Sequence, residues 1–312
     1  MSRNIAAVLV LIAFATVPLI AKVFDQPYYL TLFGRILIYG ICALGVNLLL
    51  GSAGLVSFGH AMFLGIGAYA VGVTEYYGIE SGFVQWPLGI AAAALAGLIV
   101  GAISVRLTGL YFIMITLAFG QLFYFVASGL APFGGDDGMT IDTRSNFGHY
   151  LNLNNETLLY YFIFAILLLC LLFLHRLSHS RLGMIIAGIR SNESRMQALG
   201  FPTYRYKLIA FVLSAVICAI SGLLLANLTD FVTAQYMTWQ RSGEILVMAI
   251  LGGMTSLFGP LIGTTALLLF EEVFSAYTEH WAIILGPVLV LIVLYLPQGL
   301  WGLLPDAKRP SR

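Results

Sequence analysis

The chain has 312 residues, 60% of them hydrophobic and only 9% charged, with a mean hydropathy of +0.94. Soluble domains carry about 45–50% apolar and about 25% charged residues, so this composition excludes a soluble globular protein and calls for an integral membrane protein. The net charge of +1 is uninformative by itself; the distribution of charge along the chain says more, and no nucleic-acid partner is expected.

A bilayer-spanning helix needs about 20 apolar residues. Apolar runs of this kind occur at 5–22, 31–50, 55–74, 87–105, 109–128, 158–175, 207–229 and 281–303. The first resembles a signal peptide in position, but no small-x-small cleavage site precedes a polar start, so it is read as a first membrane helix. Cys42, Cys170 and Cys218 all fall within apolar runs without a Cys-x-x-Cys spacing, which predicts buried small hydrophobes and neither a disulfide framework nor a metal site.

From the end of the second run into the third, the segment Gly51-Ser52-Ala53-Gly54-Leu55-Val56-Ser57-Phe58-Gly59-His60 breaks the helical pattern. The stretch Glu244–Val273 is broken in the same way by Gly252-Gly253-Met254-Thr255-Ser256-Leu257-Phe258-Gly259-Pro260. Both breaks read as glycine, small or hydroxyl residues, then Phe-Gly, a weak internal repeat. Transport sites tend to lie where Gly or Pro interrupts membrane helices and frees backbone groups. Gly51, Ser57, His60, Gly253, Thr255 and Ser256 are therefore candidates for a translocation path. The plainer alternative is close helix packing through small residues. His60 is an ionisable group in an apolar run and hence a candidate by default; a neutral imidazole satisfied by a backbone carbonyl is the alternative. Glu271 and Glu272 are expected at the outer rim of such a path.

The longest external segment is the loop 129–157, with Phe133-Gly134-Gly135-Asp136-Asp137-Gly138 near its start. It reads equally well as a solvated connector with Gly-rich turns and as a docking surface for something delivered from outside. The Asn-x-Thr match at Asn155 carries no weight, since Asn192-Glu193-Ser194 matches the same pattern.

The loop 176–206 differs in kind. With Lys207 just beyond it, it holds Arg176, Arg181, Arg190, Arg195 and Arg205 against the single acid Glu193. Leu182, Ile185, Ile186 and Ile189 recur at helical spacing and predict one apolar face. A second short helix is predicted with Ser191 as N-cap, Glu193 in its first turn, Gly200 as the left-handed residue that ends it, and Pro202 preventing continuation. Such helices either lie on anionic headgroups or are gripped by a partner.

Charge bias fixes the expected topology. If 244–273 is a hairpin of two short helices, the chain has about ten membrane helices (eight to ten) with both ends inside. Arg3, Arg106, the bases of the 176–207 region, Lys308, Arg309 and Arg312 then lie inside, with Lys22, Arg35, Arg144 and Arg241 outside. Most acids, Glu244, Glu271, Glu272 and Glu279 among them, fall outside or at the outer edge, leaving Glu193 and Asp306 inside. The expected fold is all-α and polytopic, a single transmembrane domain over 1–312 with broken helices.

Arg181-Leu182-Gly183-Met184-Ile185-Ile186-Ala187-Gly188-Ile189-Arg190-Ser191-Asn192-Glu193, followed by Ala198-Leu199-Gly200 and by Lys207–Ala215, resembles the coupling region of branched-chain amino-acid ABC importer permeases of the Liv-type M kind. The segments Asn47–His60, Gly65–Tyr69, Gly109–Phe112, Thr116–Phe119, Leu251–Pro260 and Pro297–Gly302 are similar to that family too, in order along nearly the whole chain. The resemblance implies a multi-pass permease subunit of a bacterial inner membrane, with 176–206 as a cytoplasmic coupling loop and 129–157 periplasmic. It implies that Arg181, Gly183, Arg190, Asn192, Glu193, Leu199 and Gly200 couple to an ATPase. The implied partners are a second, LivH-like permease, two cytoplasmic ATPases holding ATP and Mg, and a periplasmic substrate-binding protein. Phe133 stands where relatives often carry Thr before Gly-Gly, which leaves branched-chain amino acids, urea and short amides open as substrates.

No cofactor or catalytic residue is expected in the chain itself. No Gly-x-x-x-x-Gly-Lys-[Ser/Thr] loop occurs, and the acids fall at span ends, where an ion-coupled carrier would place them near the midplane. The competing functions are such a secondary carrier or channel, which leaves the patterned basic loop unexplained, and an intramembrane hydrolase using Ser57 and His60, for which no third group is apparent.

Overall fold

A computed structural model describes residues 3–148 and 153–277 and, beyond them, 280, 283, 286, 287, 289, 290, 294–296 and 299–303. Glu279, Pro297, Gln298, Asp306, Lys308, Arg309 and Arg312 lie outside the described residues, as does much of the run 281–303.

The described chain is almost wholly helical: α1 (Arg3–Val23), α2 (Tyr28–Asn47), α3 (Ala61–Tyr76), α4 (Gly82–Ser104), α5 (Leu110–Ser128), α6 (Glu156–Ser178), α7 (Arg181–Ser191), α8 (Glu193–Ala198), α9 (Thr203–Thr229), α10 (Trp239–Gly252) and α11 (Gly259–Ser275). Six helical stretches among the described residues are long and apolar enough to cross a bilayer: Ile5–Val23, Tyr28–Ala53, Gly82–Ser104, Leu110–Ser128, Glu156–Ser178 and Thr203–Thr229. The described residues thus supply six such helices where about ten are expected from the whole sequence, and within them the difference has local causes. The run 55–74 becomes helical only at Ala61, because Gly54 turns left-handed (φ 70°) and the chain to His60 is non-helical. Helix α2, by contrast, runs on through one π-turn, Leu48–Ala53. The stretch Glu244–Val273 is a hairpin as expected, but α10 and α11 have only 14 and 17 residues. Its turn is set by Gly253 (φ 116°), by the Ser256 hydroxyl accepting from Gly259 N at 2.7 Å, and by Pro260 in the first turn of α11.

Helix α9 is the central post, with α2, α3 and α4 against it. Small residues let the backbones meet: a Cβ at Gly67 would strike the Ala219 carbonyl, and one at Gly222 would strike that of Leu64. Cys42 and Cys218 are fully buried at the α2–α9 contact and Cys170 is buried on α6, as small hydrophobes.

At the end opposite α7 and α8, the loop after α5 is tied down. A two-stranded antiparallel pair joins β1 (Met139–Thr140) to β2 (Phe231–Val232). Arg144 donates to both carboxylate oxygens of Asp230 at 2.9 and 2.8 Å and to the Leu153 carbonyl at 3.1 Å. The hydrogen bond to Asp230 raises the Arg144 pKa above its ordinary value. Glu75 accepts from the backbone N–H groups of Asp142 and Thr143, and Ser145 N donates to Asn227 Oδ1 at 2.7 Å. The described part of the loop is braced over the bundle end, with Gly134, Gly135 and Gly138 in left-handed turns.

Candidate functional site: the α7–α8 loop and the helix breaks

Helix α7 starts where Ser180 Oγ accepts from Gly183 N at 3.2 Å. Gly183 is needed there because a Cβ would run into the Leu177 carbonyl at the end of α6, so the chain folds back on itself without a gap. The apolar face predicted from Leu182, Ile185, Ile186 and Ile189 forms, and Ile186 and Ile189 are buried against the bundle. That face is taken up by the protein itself, which leaves little for a headgroup-lying helix to insert into lipid.

The cap of α8 differs from expectation. Ser191 is the last residue of α7; Asn192 is the N-cap, extended (φ −162°), with its side chain accepting from Arg195 N at 2.9 Å. Asparagine and serine serve equally as caps, and α7 runs one residue further than the pattern suggests. Gly200 is left-handed (φ 86°) with open space around it, and ends the turn after α8 as expected.

Two charged side chains, together with the Gln197–Thr203 hydrogen bond at 3.1 Å, fasten this loop to the bundle. The Arg190 guanidinium donates to the Gly51 carbonyl in the π-turn, and its stem covers Gly54, where a Cβ would lie 3.1 Å from Arg190 Cγ. Glu193 Oε2 accepts from Lys207 Nζ at 2.5 Å, with the lysine buried in the first turns of α9 and the carboxylate about one-third exposed. Arg181, Asn192 and Leu199 are exposed on the far side; Met184 and Leu199 are apolar yet 60% and 67% exposed.

The two helix breaks meet beneath this loop. Gly51 lies against the Met254 carbonyl, too close for a Cβ, and Asn47 Nδ2 donates to the Ser256 carbonyl at 3.3 Å. Between them is a cavity of about 240 Å³ lined by Asn47, Gly51, Thr255 and Ser256 from the breaks and by Gly183 and Ile186 from α7. Gly51, Thr255 and Ser256 are thus brought together, with Gly253 forming the adjacent turn. Asn47 is not singled out by the sequence pattern; a lone amide in the last turn of an apolar run is the available signal, and its Oδ1 is buried without a hydrogen-bond partner.

Ser57 and His60 lie elsewhere. Their side chains hydrogen-bond at 2.7 Å, and both are buried. The imidazole is satisfied on Nδ1 by the serine hydroxyl rather than by the expected carbonyl, and its Nε2 has no partner. Phe63 and Phe211 enclose it edge-on at 5.4 and 5.1 Å between ring centroids. A Ser–His pair walled in by phenylalanines, with no carboxylate hydrogen-bonded to its histidine among the described residues, lacks the access and the orienting acid that a hydrolase needs.

The sequence profile of the family described as "Branched-chain amino acid transport system / permease component" matches residues 28–296. The high-affinity branched-chain amino acid transport system permease protein LivM of Salmonella typhimurium is 30% identical over 291 residues, covering 85% of this chain and 68% of that protein. The corresponding permease protein LivH of Escherichia coli is 24% identical over 285 residues, covering 85% of this chain and 91% of that protein. A probable branched-chain amino acid transport permease protein LivM of Methanocaldococcus jannaschii is 24% identical, covering 84% and 90%. No solved structure matches. The profile covers most of the chain, and the LivM relatives extend across it: the chain belongs to the branched-chain amino acid transport system permease family.

Proposed function

We propose that this chain is the LivM-like permease subunit of an ATP-driven importer in a bacterial inner membrane, pairing with a LivH-like permease and carrying branched-chain amino acids. Two cytoplasmic ATPases hold ATP and Mg and drive it, and a periplasmic binding protein supplies it. The observation that carries this reading is the α7–α8 loop, held to the bundle by Arg190 and Glu193 while presenting Met184 and Leu199 outward. An exposed apolar pair on a basic loop whose own apolar face is already buried suits a protein partner better than water.

The same loop sets orientation. Its bases favour an inside position for the α7–α8 end by the positive-inside rule, and the braced Arg144–Asp230 cap would then lie outside, where a binding protein would land. Arg181, Gly183, Arg190, Asn192, Glu193, Leu199 and Gly200 act as the coupling element. Because Arg190 holds Gly51 and α7 lines the cavity of Gly51, Thr255 and Ser256, movement of α7 would pass directly into the two helix breaks, as a rigid-body switch requires.

The test is uptake of radiolabelled leucine into proteoliposomes holding the two permeases, the ATPases and the binding protein. Uptake that needs ATP and survives collapse of ion gradients supports the importer. Uptake that ignores ATP and stops with an ionophore would establish a secondary carrier in its place.

A further inference from the structure

Arg35 and Arg241, expected from sequence outside, both lie against the buried ring of Tyr39, and each faces a glutamate, Glu271 and Glu244. The guanidinium carbons of Arg35 and Arg241 lie 5.9 and 5.7 Å from the centroid of Tyr39. Arg241 donates to Glu244 Oε2 at 2.5 Å, and Arg35 faces Glu271 Oε1 at 3.8 Å. Tyr39 is buried, and at 1.5 Å per residue it sits about 16 Å along the Tyr28–Ala53 span. Its neighbour Arg241 adjoins Ser242, whose hydroxyl accepts from Ala61 N at the start of α3, itself well inside the bundle.

Charges at this depth are costly against lipid and mark substrate routes by default. The Glu244 side chain is nevertheless 46% exposed and that of Arg35 38%. Charged side chains exposed at this depth suit a face of α2, α10 and α11 turned to water or to a polar surface better than one turned to hydrocarbon. Directly along α10, three and seven residues after Glu244, Val247 and Leu251 open an apolar recess of about 280 Å³ completed by Ile250, Leu289, Val290 and Leu294. One face thus presents two cations, two anions and an adjoining apolar slot.

We propose that this face is an intramembrane binding site for a zwitterionic α-amino acid with an aliphatic side chain. The inference rests on the importer reading and deepens it by naming residues of this chain that would hold the substrate. A guanidinium takes a carboxylate bidentately, and a carboxylate takes an ammonium group. When the ligand enters, the Arg241–Glu244 pair opens, Arg241 turns to the ligand carboxylate and Glu244 to its ammonium, and the aliphatic chain lies in the recess below. The sum of charges is zero before and after, so no step leaves an uncompensated ion at this depth. A neutral amide or urea offers hydrogen bonds but no charge to replace either half of the opened pair, so the site discriminates against it.

The test uses the complete importer in proteoliposomes. Arg241→Gln and Glu244→Gln are each expected to lower leucine uptake about tenfold or more, and the exchanged variant Arg241→Glu/Glu244→Arg, which restores an ion pair but reverses its polarity, is expected to stay low. Uptake near the parent level in either single variant, or recovery in the exchanged one, would reduce the cluster to a structural ion pair and overturn the site. A second arm keeps every charge in place: Val247→Cys is labelled by a membrane-impermeant maleimide against a background in which Cys42, Cys170 and Cys218 are buried. Leucine delivered by the binding protein is expected to slow labelling several-fold and isovaleramide to leave it unchanged; equal protection by both, or by neither, overturns the zwitterion site. Failure of the importer reading shows separately, as parent uptake that does not require ATP.

Discussion

Glu193 on α8 and Lys207 on α9 form an ion pair at 2.5 Å, with the lysine almost fully enclosed. With the Gln197–Thr203 hydrogen bond, it fastens the short exposed helix to the central post of the bundle. Replacing Glu193 by Gln leaves a buried ammonium short of its partner, at a cost of about 1–3 kcal/mol, and Glu193→Lys adds repulsion. We expect Glu193→Lys to assemble but to lower leucine uptake per ATP hydrolysed at least several-fold. The exchanged double variant Glu193→Lys/Lys207→Glu is expected to recover much of the ratio. Unchanged coupling in Glu193→Lys would remove the tie from the mechanism.

Gly183 and Gly200 belong to the same loop but are needed for different reasons. A Cβ at Gly183 meets the Leu177 backbone, whereas Gly200 is surrounded by open space and is constrained only by its positive φ. Gly183→Ala is therefore expected to displace α7 and impair uptake. Gly200→Asn is expected to be tolerated, and Gly200→Val to strain the turn by about 1–2 kcal/mol and lower coupling. Equal uptake by the Gly183→Ala and Gly200→Asn variants would contradict this division.

The Arg190–Gly51 bond is expected to carry motion from α7 into the helix break. Arg190→Gln keeps a donor but shortens the reach; uptake should fall while maleimide access to a cysteine placed at Thr255 changes between nucleotide-free and ATP-bound states in the parent and not in the variant. An identical access pattern in both would show that Arg190 is only a surface anchor.

His60 has a structural environment, walled by Phe63 and Phe211. His60→Ala removes ring packing and the Ser57 hydrogen bond, so the melting temperature of the purified complex should drop while the leucine concentration for half-maximal uptake stays unchanged. A shift in that concentration without loss of stability would restore His60 to the translocation path.

Much of this arrangement is legible in the linear pattern where the signal is local. The period of Leu182, Ile185, Ile186 and Ile189 marks the buried face of α7, Gly200 and Pro202 mark the end of α8, and the glycines near 252–260 mark the hairpin. The cap moves by one residue because Ser191 and Asn192 are both competent and only the end of α7 decides between them. The meeting of Arg35 and Arg241 at Tyr39, each with a glutamate beside it, is not legible. These residues come from α2 and from the α10–α11 hairpin far along the chain, and a charge near the end of an apolar run looks interfacial until a short helix such as α10 is seen to start within the bundle. The meeting of Gly51 with Met254 is hidden for the same reason, although both breaks are visible singly.

The central claim is that the outer face of the α7–α8 loop is held by an ATPase, and photo-crosslinking from that face tests it most directly. A photoreactive residue placed at Leu199, 67% exposed and outside the polar ties, is activated in membranes containing the complete assembly. The expected result is a covalent adduct with the ATPase subunit, absent when the same probe replaces Tyr77 at the opposite end. An adduct with lipid alone, or with the partner permease and never with the ATPase, would contradict it.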